Sequence, residues 1–302
     1  MSTSLRATAF VAGLAAFFAL AFGVGRVVGP LDVEGATPHD MGSAGHDTSD
    51  AGGHAGMGVA AAPEVGGLQS SQDGYTLVLE DQRLSAGTRS VAFTISGPDG
   101  HPVTSYDERH EKDLHLIVVG RDLNGFQHVH PVLDQSGRWS TDVELAPGAW
   151  RVVADFAPAG GDPLVLGGDL LVPGRFAPAG LGPDRRTATV DGYDVTLDGD
   201  LVAGEESELT LTVRKDGRPV TDLDPYLGAF GHLVALRAGD LAYLHVHPDG
   251  GPGEVAPGPG IVFHAEVPSA GAYRLFLDFR HDGIVRTAAF TVRVGEGAGH
   301  EH

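Results

Sequence analysis

Leu114-His115-Leu116-Ile117-Val118-Val119-Gly120-Arg121-Asp122-Leu123-Asn124-Gly125-Phe126-Gln127-His128-Val129-His130-Pro131 holds two runs of β-forming residues joined by Asp-Leu-Asn-Gly. An Asn-Gly step between such runs signals a β-hairpin. The stretch recurs. His232-Leu233 and His245-Val246-His247-Pro248 repeat His115-Leu116 and His128-Val129-His130-Pro131 at a constant offset of 117 residues (115 to 232, 128 to 245, 130 to 247). The same offset carries Asp99-Gly100-His101-Pro102-Val103-Thr104 onto Asp216-Gly217-Arg218-Pro219-Val220-Thr221. The chain reads as an internal duplication with three histidines at matching places in each copy.

Working outward, the first copy offers strand candidates at 75–80, 90–96, 114–120, 126–131, 139–145, 149–156 and 163–172. The second offers them at 193–197, 206–213, 232–236, 241–247, 261–267, 272–279 and 284–294. These segments alternate or run apolar and are punctuated by Pro-Asp-Gly, Asn-Gly and Asp-Gly turns. Seven short strands per copy predict an all-β fold of tandem immunoglobulin-like β-sandwiches, with a small barrel as the alternative. The copies occupy 70–174 and 187–295, joined by a linker at 175–186 and followed by a His-bearing tail at 296–302.

The 302 residues include 45 glycines and 19 prolines without collagen periodicity, which suits short strands and many turns. A net charge of −20 argues against nucleic acid as a partner and does nothing to discourage cations. Cysteine is absent, so disulfides and thiolate metal sites are excluded, leaving His, Met and carboxylates as ligands. Ala7 to Val24 is an uncharged apolar run between Arg6 and Arg26. Residues 1–28 therefore read as a transmembrane signal-anchor or a cleaved signal peptide, without a clear small-x-small cleavage site. Either reading exports the rest of the chain: a single-pass membrane protein with extracytoplasmic domains, or a secreted one. Residues 29–69 have almost no large apolar side chains and read as a disordered tether carrying His39, Met41, His46, His54 and Met57.

The hairpin register decides what the histidines can do. A four-residue loop at Asp122–Gly125 predicts that Val119 pairs with His128 and Ile117 with His130. Side chains alternate faces along a strand, so His115, His128 and His130 then share one face near one end of the ladder. In the second copy His232, His245 and His247 share a face whenever Leu236 pairs with Tyr243. Such positions lie within about 4.5–8 Å, a span that imidazoles bridge to one ion. His264, His281 and His110 are secondary candidates, with His101 on a loop. Asp155 and Asp278 hold matching places in Ala-Asp-Phe and Leu-Asp-Phe and are candidates to ligate or to fix an imidazole tautomer. A His-x-His on a strand also arises as coincidence on a polar face, and Pro after the second His can simply end an edge strand. Three imidazoles suit copper, zinc or nickel, and the divalent affinity order favours Cu(II); the tether's thioethers suit Cu(I). Copper is the expected ion and zinc the alternative.

Ala146-Pro147-Gly148-Ala149-Trp150-Arg151 and Ser269-Ala270-Gly271-Ala272-Tyr273-Arg274, taken with the N-terminal anchor and the sandwich pattern, resemble the FixH/YtkA-like extracytoplasmic domains. That resemblance implies copper handling or oxidase assembly. The Met-rich strand motifs of CopC-like proteins and the His/Met spacing of PCuAC-like chaperones are missing, and no residue role carries over. The sequence thus predicts a non-enzymatic, exported, membrane-tethered metal-binding protein. Each copy would hold one ion, for sequestration, resistance or delivery to an exported acceptor. The alternatives are a tandem immunoglobulin-like interaction or scaffold module with structural histidines and, from the enzyme class, a three-His cupin-like oxygenase or hydrolase. Neither the follow-up motif of cupins nor a Ser-His-Asp arrangement is evident.

Overall fold

The computed structural model describes residues 65–244 and 246–295. The expected N-terminal membrane segment, the His and Met residues of the tether, His245 and the tail lie outside them. Among the described residues there is no helix, and so none that is long and apolar enough to cross a membrane.

Nine strands precede the linker: β1 (Ser71–Gln72), β2 (Tyr75–Leu79), β3 (Gly87–Ser96), β4 (Leu114–Gly120), β5 (Gln127–Val129), β6 (Val132–Leu133), β7 (Arg138–Leu145), β8 (Gly148–Phe156) and β9 (Leu164–Val172). Ten follow: β10 (Thr187–Val190), β11 (Tyr193–Asp198), β12 (Glu206–Lys215), β13 (Arg218–Pro219), β14 (His232–Arg237), β15 (Tyr243–Leu244), β16 (Val246–Pro248), β17 (Gly260–Glu266), β18 (Gly271–His281) and β19 (Ile284–Val294). The first group forms sheets ordered β1-β2-β3-β7-β6 and β5-β4-β8-β9. The second repeats this as β10-β11-β12-β17-β16 and β15-β14-β18-β19, with β13 beside β12. With β2, β3, β7 and β6 read as A, B, E and D, and β4, β8 and β9 as C, F and G, this is immunoglobulin-like strand order.

Alternation builds each core. Leu77, Phe93 and Trp139 from one sheet meet Leu116, Val152 and Leu166 from the other. Leu197, Leu211 and Phe263 meet Leu233, Leu275 and Phe290 in the second sandwich. The start of strand F is pinned the same way twice. Tyr273 Oη donates to Ser269 O at 2.7 Å, the tyrosine corner of this fold. At the matching place Trp150 Nε1 donates to Ala146 O at 2.8 Å.

A third core joins the sandwiches. β4 is buried along its whole length. Leu114, Leu116 and Val118 face the interior of the first sandwich, whereas Ile117 and Val119 pack with Val153, Val234, Leu236, Tyr243 and Phe276. The rings of Phe126 and Phe276 stack with centroids 3.9 Å apart. A strand covered on both faces reads as a continuous apolar run, as Leu116-Ile117-Val118-Val119 does.

Two expectations are corrected. The hairpin pairs Ile117 with His128 and Leu116 with Val129, a shift of two residues from the four-residue-loop register. The turn is longer because Gly120 N bonds Asn124 O and Leu123 N bonds Gly120 O, with Leu123 and Gly125 both at positive φ. A shift of two preserves parity, so the face assignment survives. In the second copy Leu236 does pair with Tyr243. Residues 65–69, given to the tether by composition, are held in place: Gly66 exchanges two hydrogen bonds with Tyr243, and Arg151 donates to the Gly67 and Leu68 carbonyls.

Candidate metal centre

The interface faces of β4, β8, β14 and β18 carry polar groups at one end. His115 pairs across the ladder with Asp155, and His232 with Asp278. Their side chains meet in one cluster between the sandwiches. The His115 and His232 rings stack with centroids 5.4 Å apart and planes 7° apart, and His232 lies 4.7 Å from His128. His110 closes the group, 5.9 Å from His115 and 5.7 Å from His232. It and Glu111 adopt φ of 47° and 63°, consecutive non-glycine residues in the left-handed region. That conformation is sparsely populated and collects at functional sites.

His115 Nδ1 lies 3.0 Å from His128 Nε2 and 3.2 Å from His130 Nε2. Among the described residues, these three form the one set of three potential ligands whose atoms all lie within 4.8 Å of one another. Metal–imidazole bonds of about 2.0–2.1 Å at the tetrahedral angle separate ligand nitrogens by about 3.3 Å. The outer nitrogens are already committed. His115 Nε2 donates to Arg109 O at 3.0 Å, and His128 Nδ1 donates to Asp278 Oδ2 at 2.8 Å. Asp278 Oδ1 accepts from Thr287 Oγ1 at 2.5 Å, which orients the carboxylate.

Those outer bonds fix the tautomers. A carbonyl only accepts, so the proton of neutral His115 is on Nε2 and its Nδ1 presents a lone pair. The carboxylate does the same for His128, whose Nε2 lone pair then points at that of His115. Two imidazole lone pairs 3.0 Å apart repel unless a cation, a proton or a metal ion, lies between them. Burial and the charge of His128 push the His115 pKa down to about 3. Burial, then His128 and Lys112, push that of His130 down to about 4. Burial holds His232 well below the usual histidine range, and burial followed by Arg109 lowers His110. The neutral, ligating form is thereby favoured. His130 and His110 are only half-buried, which leaves the cluster open on their side.

The other candidates stand elsewhere. His247 sits on β16, its Cα opposite that of His264 in the outer sheet, and is close enough to influence the His110 charge. His264 Nε2 pairs with Asp249 at 3.2 Å. His281 is buried against Tyr193 Oη at 2.7 Å and Asp222 at 3.1 Å. His101 is exposed. Asp155 accepts from Tyr243 Oη at 3.1 Å, with Arg109 at 3.7 Å; burial raises its pKa. Among the described residues His232 joins the cluster of His115, His128 and His130 while His247 stands in the outer sheet; His245, the remaining member of the second set, lies outside them. Local spacing could not reveal this, because His232 and Asp278 arrive through the third core. Its one signal was the apolar parity of Ile117 and Val119.

A family model described as "Domain of unknown function (DUF8832)" matches residues 70–165 and 188–296. No curated protein matches the chain. Among solved structures, it is similar to the Escherichia coli adhesin FdeC, at 13% identity over 74% of this chain and 65% of that one, with a TM-score of 0.23. It is also similar to the bacterial integrin-binding protein invasin (12% identity, 74% and 39%, TM-score 0.22). The D00-D0 domain of intimin gives 13% identity over 72% and 98%, with a TM-score of 0.22. The chain thus spans about 65% of the FdeC chain's length, and likenesses of this size carry no inference about what it binds.

Proposed function

Because the chain belongs to the DUF8832 family, whose function is undefined, its role has to be argued from its own residues, and we propose that it is a non-catalytic binding protein holding one transition-metal ion between two sandwiches of duplicated origin. One observation carries this reading: His128 Nε2 and His130 Nε2 lie 3.0 and 3.2 Å from His115 Nδ1 while the outer nitrogens of His115 and His128 are held by a carbonyl and a carboxylate. That is the outer-shell arrangement that orients metal-bound histidines. His115, His128 and His130 are the ligands, His232 completes the wall, and Asp278 fixes the His128 tautomer. The donor set favours copper, with zinc second. The apolar run Ala7 to Val24 supports export and membrane tethering, and the resemblance to FixH/YtkA-like domains supports copper handling, with the tether passing the ion to or from an exported partner.

A second reading, an interaction or scaffold module with structural histidines, draws support from one observation: His115 and His128 already have partners within the chain on both sides. Titration of the metal-free full chain with Cu(II) and with Zn(II) separates the two. The metal reading expects one ion per chain and a melting temperature that rises with metal concentration, since the ion binds only the native state. Replacing His115, His128 and His130 by Ala removes both effects. Unchanged stoichiometry and affinity in that triple variant, or no thermal response in the parent, sinks the metal reading and leaves the module.

A further inference from the structure

Arg151 and Arg274 follow the two corner residues and face outward from β8 and β18, yet only Arg151 is paired with a carboxylate, Arg274 having the Phe276 ring at 5.7 Å. Arg151 Nε donates to Gly67 O at 3.0 Å, Nη2 to Leu68 O at 2.8 Å and Nη1 to Asp169 Oδ1 at 3.0 Å. Asp169 is its cross-strand neighbour on β9. Across from Arg274 on β19 stands Thr291, which accepts from Nη1 at 2.7 Å. Arg274 Nε is buried without a hydrogen-bond partner, and among the described residues no carboxylate ion-pairs with this side chain. Arg280 and Arg286 share the unpartnered Nε, but each faces a carboxylate: Asp224 at 3.9 Å and Asp191 at 3.5 Å.

Arg274 is met by another cation instead. Burial and then the charge of Arg185 lower its pKa. Both arginines line a cavity of about 290 Å³ closed by Thr291 and the linker backbone at Gly180–Gly182. The two carboxylates on its rim are engaged: Asp122 accepts from Ala179 N at 3.1 Å, and Asp184 lies 3.5 Å from Arg293. Among the described residues neither guanidinium forms an ion pair, although Asp122, bonded only by backbone N–H groups, lines the same cavity. The planar guanidinium forks match the oxygens of carboxylate and phosphate groups. We propose that this cavity binds a small oxyanion, phosphate or a carboxylate, held by Arg274 and Arg185.

The test titrates the full chain, in chloride buffer of constant ionic strength, with inorganic phosphate and separately with acetate, read by calorimetry and by melting temperature. A saturable response to at least one anion is expected, and the comparison of the two arms identifies the preferred group. Arg274→Gln and Arg185→Gln each weaken it on the order of tenfold, as loss of charge-assisted hydrogen bonds does. Arg185 is exposed, so its variant tests binding without threatening the fold. Arg138→Gln, which removes a charge paired with Glu80 on the far sheet, leaves the response unchanged. No saturable response to either anion, a response that persists in both cavity variants, or an equal loss in Arg138→Gln overturns the proposal.

Discussion

The two sandwiches carry the same histidine pattern and put it to different use. In the first, the chain stays on the inner sheet through Gln127–Val129, so His128 lies opposite Ile117 and beside His115. In the second, the inner strand ends at Leu244, and Val246–Pro248 already pairs with β17 of the outer sheet, placing His247 opposite His264. The crossing between sheets falls about two residues earlier in the second copy. Strand parity decides which face a side chain takes. It does not decide which sheet the strand joins. Identical tetrapeptides therefore contribute two of three converging imidazoles in one place and an outer-sheet histidine in the other, while the second sandwich serves the cluster through His232 and Asp278.

Acid should disturb this arrangement most. His115 and His130, with pKa values pushed down to about 3 and about 4, and His232, held well below 6.5, stay neutral in the folded chain where the unfolded chain protonates them. Between those values and about 6.5 the unfolded state binds more protons, so stability is present above pH 6.5 and is lost as pH falls. Asp155, raised by burial, works in the opposite direction, as one group against three. The melting temperature of the metal-free chain should drop steeply from pH 7 to 4, and His130→Gln should flatten the profile. A flat profile in the parent would break the claim that the cluster is held neutral.

Asp278→Asn is the next largest effect and tests the asymmetry directly. Losing the acceptor that orients His128 should lower Cu(II) affinity by about 10- to 100-fold, although the three ligands belong to the other sandwich. Asp155→Asn, whose partner is Tyr243, should change it only a few-fold. Equal losses in the two variants would mean that both carboxylates act through general charge.

Much of this was legible from residues alone. Turn signals and alternation are local, and they placed the strands of both sandwiches close to where they lie. The parity grouping of His115, His128 and His130 survived a register error because the error was an even number of residues. What escaped was non-local. The apolar run Leu116–Val119 reports that the strand is covered twice but not by what, and nothing near it reports that Asp278, 150 residues beyond His128, bonds that histidine. Composition also misjudged residues 65–69, which follow a Gly- and Ala-rich stretch and carry two glycines but are fixed by the guanidinium of Arg151.

The smallest effect concerns the corners, where the sandwiches solve one problem with different side chains. Tyr273→Phe deletes only the hydroxyl that reaches Ser269 O and should cost about 1 kcal/mol in urea denaturation, with an unchanged m value. Trp150→Phe deletes the bond to Ala146 O and also ring volume, so it should cost more. The extra volume is in use. Gly125 sits at φ 66° with the Trp150 ring directly over it, so close that a Cβ there would lie 2.6 Å from Trp150 Cη2. Trp150 therefore ties the corner to the turn that presents His128, whereas the Tyr273 corner is tied to its own turn through Arg237, which donates to Ser269 Oγ at 2.9 Å. If so, Trp150→Phe should weaken Cu(II) binding as well as stability, and Tyr273→Phe should spare it. Equal costs without any change in metal affinity would reduce both corners to hydrogen bonds and separate the turn from the site.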